Sequence, residues 1–108
     1  MVVNKNLEKI ESISDNLIEL IQVFDKSISH LNTNDRFKVR AKSIYYQTLS
    51  VLITEVLNFK QYTFISKIQL QELQRKINNL LRLADETGVN VSNEQIFNSL
   101  QSNIIFTL

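Results

Sequence analysis

The sequence contains no proline, no cysteine and no tryptophan, and it has a single glycine, Gly88. A β domain of this length would need turn residues between its strands, and glycine and proline are the residues that supply turns most readily. Helices do without them. The fold class expected is therefore all-α, as an antiparallel four-helix bundle with a short fourth helix and an apolar C-terminal tail. A chain of 108 residues is expected to form one domain around one core, spanning 1–108.

The absence of cysteine excludes disulfides and thiolate metal sites. Small secreted domains commonly depend on such cross-links, so a cytoplasmic location is expected. The opening Met1-Val2-Val3-Asn4-Lys5-Asn6 lacks the basic-then-apolar pattern of a signal peptide. No apolar run approaches the roughly 20 residues that a membrane span requires, which leaves peripheral contact with a membrane surface open.

Chemistry-bearing residues are equally sparse. His30 is the one histidine, so neither a zinc-binding His pair nor a carboxylate-bridged iron site is available. No serine sits in a Gly-x-Ser-x-Gly turn, and one glycine cannot form a phosphate-cradling loop. Glu8, Glu11 and Asp15 lie beside Lys5 and Lys9, where they read as a solvated helix face with weak i,i+4 pairs. The expectation is a protein with no catalytic residues, no cofactor and no metal, which acts by binding another protein.

Net charge is +1, too small to indicate nucleic-acid binding. Its distribution is uneven, however. Residues 1–34 hold three lysines against five acids, residues 35–82 hold nine basic residues against three acids, and the remainder has three acids and no base. A basic middle between acidic ends polarises the surface. Within it, Arg36, Lys38, Arg40 and Lys42 are spaced by twos, which scatters them around a helix and reads as a solvated helix start.

Hydrophobic spacing outlines the elements. From Asn4 to about Leu31, the residues Leu7, Ile10, Leu17, Ile21, Phe24, Ile28 and Leu31 recur at steps of three and four, with Ser14 in the vacant seat. Ile13, Ile18, Leu20 and Val23 widen that stripe. Asn32-Thr33-Asn34-Asp35 reads as a break with an N-cap. A second helix follows from about Arg36 to Phe59, with Phe37, Ala41, Ile44, Tyr45, Leu49, Leu52, Val56 and Phe59 on its apolar face. Val51, Ile53 and Leu57 make it apolar around much of its circumference, so it is expected to be the most buried element.

Residues 60–68 are rich in β-branched and aromatic side chains, which lose rotamer freedom in a helix. A turn is expected there. The alternative, one helix from Arg36 to Asp85, would be about 75 Å long and would imply a dimer. A third helix is expected over about Gln69–Asp85, with Leu70, Leu73, Ile77, Leu80, Leu81 and Ala84 in phase and Gly88 at its left-handed exit. Ser92 and Gln95 have the spacing of a capping box that would open a fourth helix to about Ser102, with Ile96, Phe97, Leu100 and Ile104 on its apolar side. Ile104-Ile105-Phe106-Thr107-Leu108 ends the sequence. This tail can be read as a seal on the bundle or as a docking segment.

The stretches Val56-Leu57-Asn58-Phe59-Lys60-Gln61-Tyr62-Thr63 and Ser66-Lys67-Ile68-Gln69-Leu70-Gln71-Glu72-Leu73-Gln74 resemble the bacteriocin immunity proteins of the enterocin A type. The continuation Asn79-Leu80-Leu81-Arg82-Leu83-Ala84, with Thr87-Gly88-Val89-Asn90, is similar to that family's fourth helix and its exit. The resemblance covers about 35 residues. It implies a cytoplasmic four-helix bundle that protects a cell from pediocin-like peptides, with specificity carried by the C-terminal half. The implied partner is the membrane component of the mannose phosphotransferase permease with bound bacteriocin. The candidate partner-binding residues are then Ile96, Phe97 and Leu100, with Ile104, Ile105, Phe106 and Leu108 of the tail. A helical subunit or adaptor of a larger assembly is the alternative reading, and monomer and dimer both remain open.

Overall fold

The computed structural model describes residues 5–28, 36–62 and 64–107, with the side chains at 25–28, 36–38 and 92 outside the description. Among the described residues there are four α-helices, one 3-10 turn and no strand. The helices are α1 (Lys5–Ile28), α2 (Arg36–Phe59), α3 (Lys67–Thr87) and α4 (Glu94–Asn103), with the 3-10 turn at Val91–Asn93. The expected all-α bundle is what the chain forms. His30, the Asn32–Asp35 break, Leu31 and the Phe37 side chain lie outside the described residues.

The side-chain bonds establish an antiparallel arrangement. Along α1 and α4 the partners run in opposite order: Asn6 with Thr107, Lys9 with Ile105, and Asn16 with Ser99 and Asn103. Phe24, late in α1, packs its ring 5.4 Å from each of Tyr45 and Tyr46, early in α2. Lys76 of α3 reaches back to Glu55 of α2 at 2.7 Å across the 60–66 connector. The closest packing is of α1 with α2, α1 with α4, and α2 with α3. The body is elongated, 54 × 22 × 20 Å.

The core follows the three-and-four spacing. α1 buries Ile10, Ile13, Leu17, Leu20 and Phe24, and α2 buries Tyr45, Leu49, Leu52, Val56 and Phe59. α3 contributes Leu70, Leu73, Ile77, Leu80 and Ala84, while α4 and its exit contribute Phe97, Leu100 and Ile104. Burial pushes the Tyr45 hydroxyl well above the ordinary tyrosine pKa, so the ring enters the core neutral.

Two expectations need correction. α2 is not buried all round: Ile44 is 43% exposed, Val51 64% and Leu57 41%. Only α1 and α3 pack closely on it, which leaves one side of the helix uncovered. α4 starts one residue later than the Ser92–Gln95 spacing indicates. Its N-cap is Asn93, without a side-chain cap bond, because Ser92 falls inside a 3-10 turn closed by the Asn93 amide on the Asn90 carbonyl at 3.3 Å.

The capping box belongs instead to α3. Ser66 accepts from the Gln69 amide at 3.2 Å, and the Gln69 side chain accepts from the Ser66 amide at 2.9 Å. This starts α3 at Lys67 and ends any continuous helix from Arg36. The turn expected within 60–68 is present. At the other end of α3, Gly88 adopts φ 76°, and its amide donates to the Asp85 carbonyl.

A Cβ at Gly88 would meet nothing within 4 Å, so substitution there is governed by backbone strain alone. Gly88→Ala should cost about 1 kcal/mol by the left-handed penalty, and Gly88→Asn should recover much of it. Thermal denaturation of the two variants checks both the sign and the order. Ser14 fills its seat in the α1 stripe fully buried, with its hydroxyl unpartnered. Ser14→Ala should therefore raise stability, by about 1 kcal/mol in urea unfolding, because it removes an unsatisfied buried polar group.

Candidate functional site

The C-terminal segment begins at the exit of α3. The Thr87 hydroxyl donates to the Leu83 and Ala84 carbonyls at 2.9 and 3.1 Å, and Gly88 turns the chain. Asn90 then donates to Asp85 at 3.3 Å, and the Asn93 amide group donates to the Val89 carbonyl at 3.0 Å. These bonds aim α4 back along α1. Glu94 in the first turn of α4 places a negative charge at the positive end of the helix dipole.

A polar contact sets the register between α1 and α4. Asn16 is a buried side chain in the apolar stripe of α1. Its Oδ1 accepts from Asn103 Nδ2 at 2.9 Å, and its Nδ2 donates to Ser99 Oγ at 3.3 Å. A one-residue slide of α4 would strand this amide in the interior, where an unpaired polar group costs about 1–3 kcal/mol.

Beyond Asn103 the backbone leaves the helix, and α1 and α3 hold it. Gln74 of α3 donates to the Ile104 carbonyl at 2.8 Å. Lys9 donates to the Ile105 carbonyl. Asn6 forms a reciprocal pair with Thr107, donating to its carbonyl at 2.8 Å and accepting from its amide at 2.9 Å. Each such bond contributes about 1 kcal/mol net, whereas burying Ile104 contributes about 2–3 kcal/mol. Burial of Ile104 therefore anchors the tail, and the hydrogen bonds choose its path.

The candidate partner-binding residues separate into distinct environments. Phe97, Leu100 and Ile104 are buried in the core at 6%, 0% and 4% exposure, so they are not surface groups of the folded chain. Ile96 and Phe106 are half-buried and pack against that core. Ile105 is 65% exposed. Leu108 lies outside the described residues. The tail thus seals the bundle through Ile104 and Phe106 while presenting Ile105 on the surface.

Other surface features escaped the sequence reading. Asn6, Lys9 and Gln74 carry no signal of their tail contacts, because those pairings join residues up to 101 positions apart. Asn16 does carry one, being with Ser14 one of two polar residues buried amid Ile13, Leu17 and Leu20. Phe64 and Ile68, 76% and 73% exposed, stand out on the α2–α3 connector and first turn of α3. On α3 the Arg75 guanidinium donates to Glu72 at 2.9 Å and holds its carboxyl below the usual range; both groups are solvated. Among the described residues, no group of His, Cys, Asp and Glu could hold a metal ion, and no helix is long and apolar enough to cross a membrane.

By its fold the chain is an all-α antiparallel bundle whose C-terminal tail is latched across the start of its first helix. No family model matches the chain, and no curated protein or solved structure is significantly similar to it.

The Asn6–Thr107 pair is solvent-exposed, and removing it should loosen the tail without unfolding the bundle. In Asn6→Ala, amide exchange at Ile105–Thr107 should speed up several-fold, while global stability falls by no more than about 1 kcal/mol. Hydrogen exchange measured by NMR alongside urea unfolding separates the two effects.

Proposed function

We propose that this chain is an immunity protein of the enterocin A type. It protects a cell from a pediocin-like bacteriocin by binding, from the cytoplasmic side, the membrane permease to which the bacteriocin is bound. The role is stoichiometric binding, with no bond made or broken and no cofactor.

The observation that carries this reading is the resemblance of residues 56–90, which run from the end of α2 through the connector and α3 to Gly88 and Asn90. Support also comes from the short α4 followed by an apolar tail, the part of the molecule to which the resemblance assigns specificity. On this reading the tail contact passes through Ile105, since Phe97, Leu100 and Ile104 are already occupied in the core.

The alternative, a helical subunit of a larger assembly, draws on a different feature. Ile44 and Val51 lie seven residues apart on one side of α2, and both are exposed. Such a stripe can take a partner helix.

Expression in a sensitive lactic acid bacterium, followed by challenge with a panel of pediocin-like bacteriocins, tests the proposal. Cells expressing the chain should survive at least one peptide at doses that kill the control. Ile105→Asp, a surface change, should abolish that protection while leaving the circular dichroism spectrum and Tm unchanged. Uniform killing of cells that hold folded protein would refute the immunity reading. Protection that survives Ile105→Asp would move the determinant away from the tail.

A further inference from the structure

The connector between α2 and α3 carries an apolar tip. Phe64 is 76% exposed, Ile68 73% and Tyr62 46%. Hydrogen bonds hold the end of α2 on one side and the start of α3 on the other. The Gln61 and Tyr62 amides each donate at 3.1 Å, to Asn58 and Phe59, and the Ser66–Gln69 capping box closes the first turn of α3. Beneath them the Tyr62 ring meets Phe59 edge-on at 5.8 Å. Three large apolar groups held in water form a patch of the kind that marks an interaction site.

The connector itself carries charge of one sign. Between Leu57 and Gln71 the only charged residues are Lys60 and Lys67, both exposed. Neither forms an ion pair among the described residues. The flanking acids are already paired, Glu55 with Lys76 at 2.7 Å and Glu72 with Arg75 at 2.9 Å. Because α1 runs antiparallel to α2, α1 begins at this same end of the bundle, with exposed Lys5 balanced by exposed Glu8 in its first turn.

We propose that the α2–α3 tip is a peripheral membrane-docking site, which inserts Phe64, Ile68 and Tyr62 among the headgroups of an anionic bilayer and places Lys60 and Lys67 on lipid phosphates. Aromatic rings suit the interfacial region, and lysine stems can lie along apolar surface while their ammonium groups reach the phosphates. The tip closes one end of a body 54 Å long, so a few side chains can insert without disturbing the core. A second copy of the chain would set lysine against lysine. The inference does not rest on the immunity reading, since lipid binding is measured without bacteriocin or permease.

The test is co-flotation of the full chain with vesicles of phosphatidylcholine alone and of phosphatidylcholine mixed with phosphatidylglycerol. The chain lacks tryptophan, so Phe64→Trp gives a clean fluorescence reporter at the tip. Flotation is expected with the anionic vesicles only, together with a shift of the reporter emission to shorter wavelength. Affinity should fall about fivefold for each of Lys60→Gln and Lys67→Gln. It should fall roughly tenfold for Phe64→Ser. Ile68→Ser repeats the apolar arm independently, should Phe64→Ser perturb the fold.

Absence of flotation with anionic vesicles would overturn the proposal. So would flotation undiminished by both serine variants, which would reduce the contact to charge alone. An emission shift on concentrating the protein without lipid would assign the tip to a second copy. Tighter binding to polyglutamate than to the vesicles would assign it to an acidic protein.

Discussion

The inner face of α1 is the wall on which the other helices depend. Ile10, Ile13, Leu17 and Leu20 are almost fully buried, and α1 packs closely on both α2 and α4. α4 has ten residues, fewer than an isolated helix needs to persist in water. Its helicity therefore comes from burying Phe97 and Leu100 against the core. Nonspecific burial would tolerate several alignments, and the polar Asn16 narrows them. Its amide finds both Ser99 and Asn103 in one register only. Hydrophobic area supplies the strength of this seam, and one buried amide supplies its alignment.

The same division of labour recurs at the tail. Ile104 enters the core and Phe106 leans on it, while Asn6, Lys9 and Gln74 hold the main chain between. A tail anchored in this way leaves Ile105 outside. The proposed immunity contact is accordingly a narrow one, made by what the seal leaves exposed. Freeing Phe97, Leu100 or Ile104 for a partner would open the bundle at a cost of several kcal/mol each. The connector tip adds a second exposed apolar group at the end of the molecule where the tail finishes, because α1 starts and α4 exits at the level where α2 turns into α3. On the two proposals together, lipid contact at the tip and permease contact at the tail would come from one end of the bundle.

Helical spacing, Gly88 and the absence of proline determine much of this protein: four helices, the α2 limits at Arg36 and Phe59, the left-handed exit of α3, and nearly all of the core positions. These features are local, since each depends on residues within one or two helical turns. The turn at 60–66 was legible as well, although the Ser66–Gln69 box that makes it was not singled out. What the tertiary structure alone decided is which apolar residues stay wet. Ile44 and Val51 match buried residues in type, yet only α1 and α3 close on α2, and that side remains open. Tail contacts likewise join α1 to residues almost a hundred positions away, where no periodicity reaches. Sequence determined the faces of the helices, and tertiary packing determined which faces met, because burial is a property of neighbours and not of the residue that is buried.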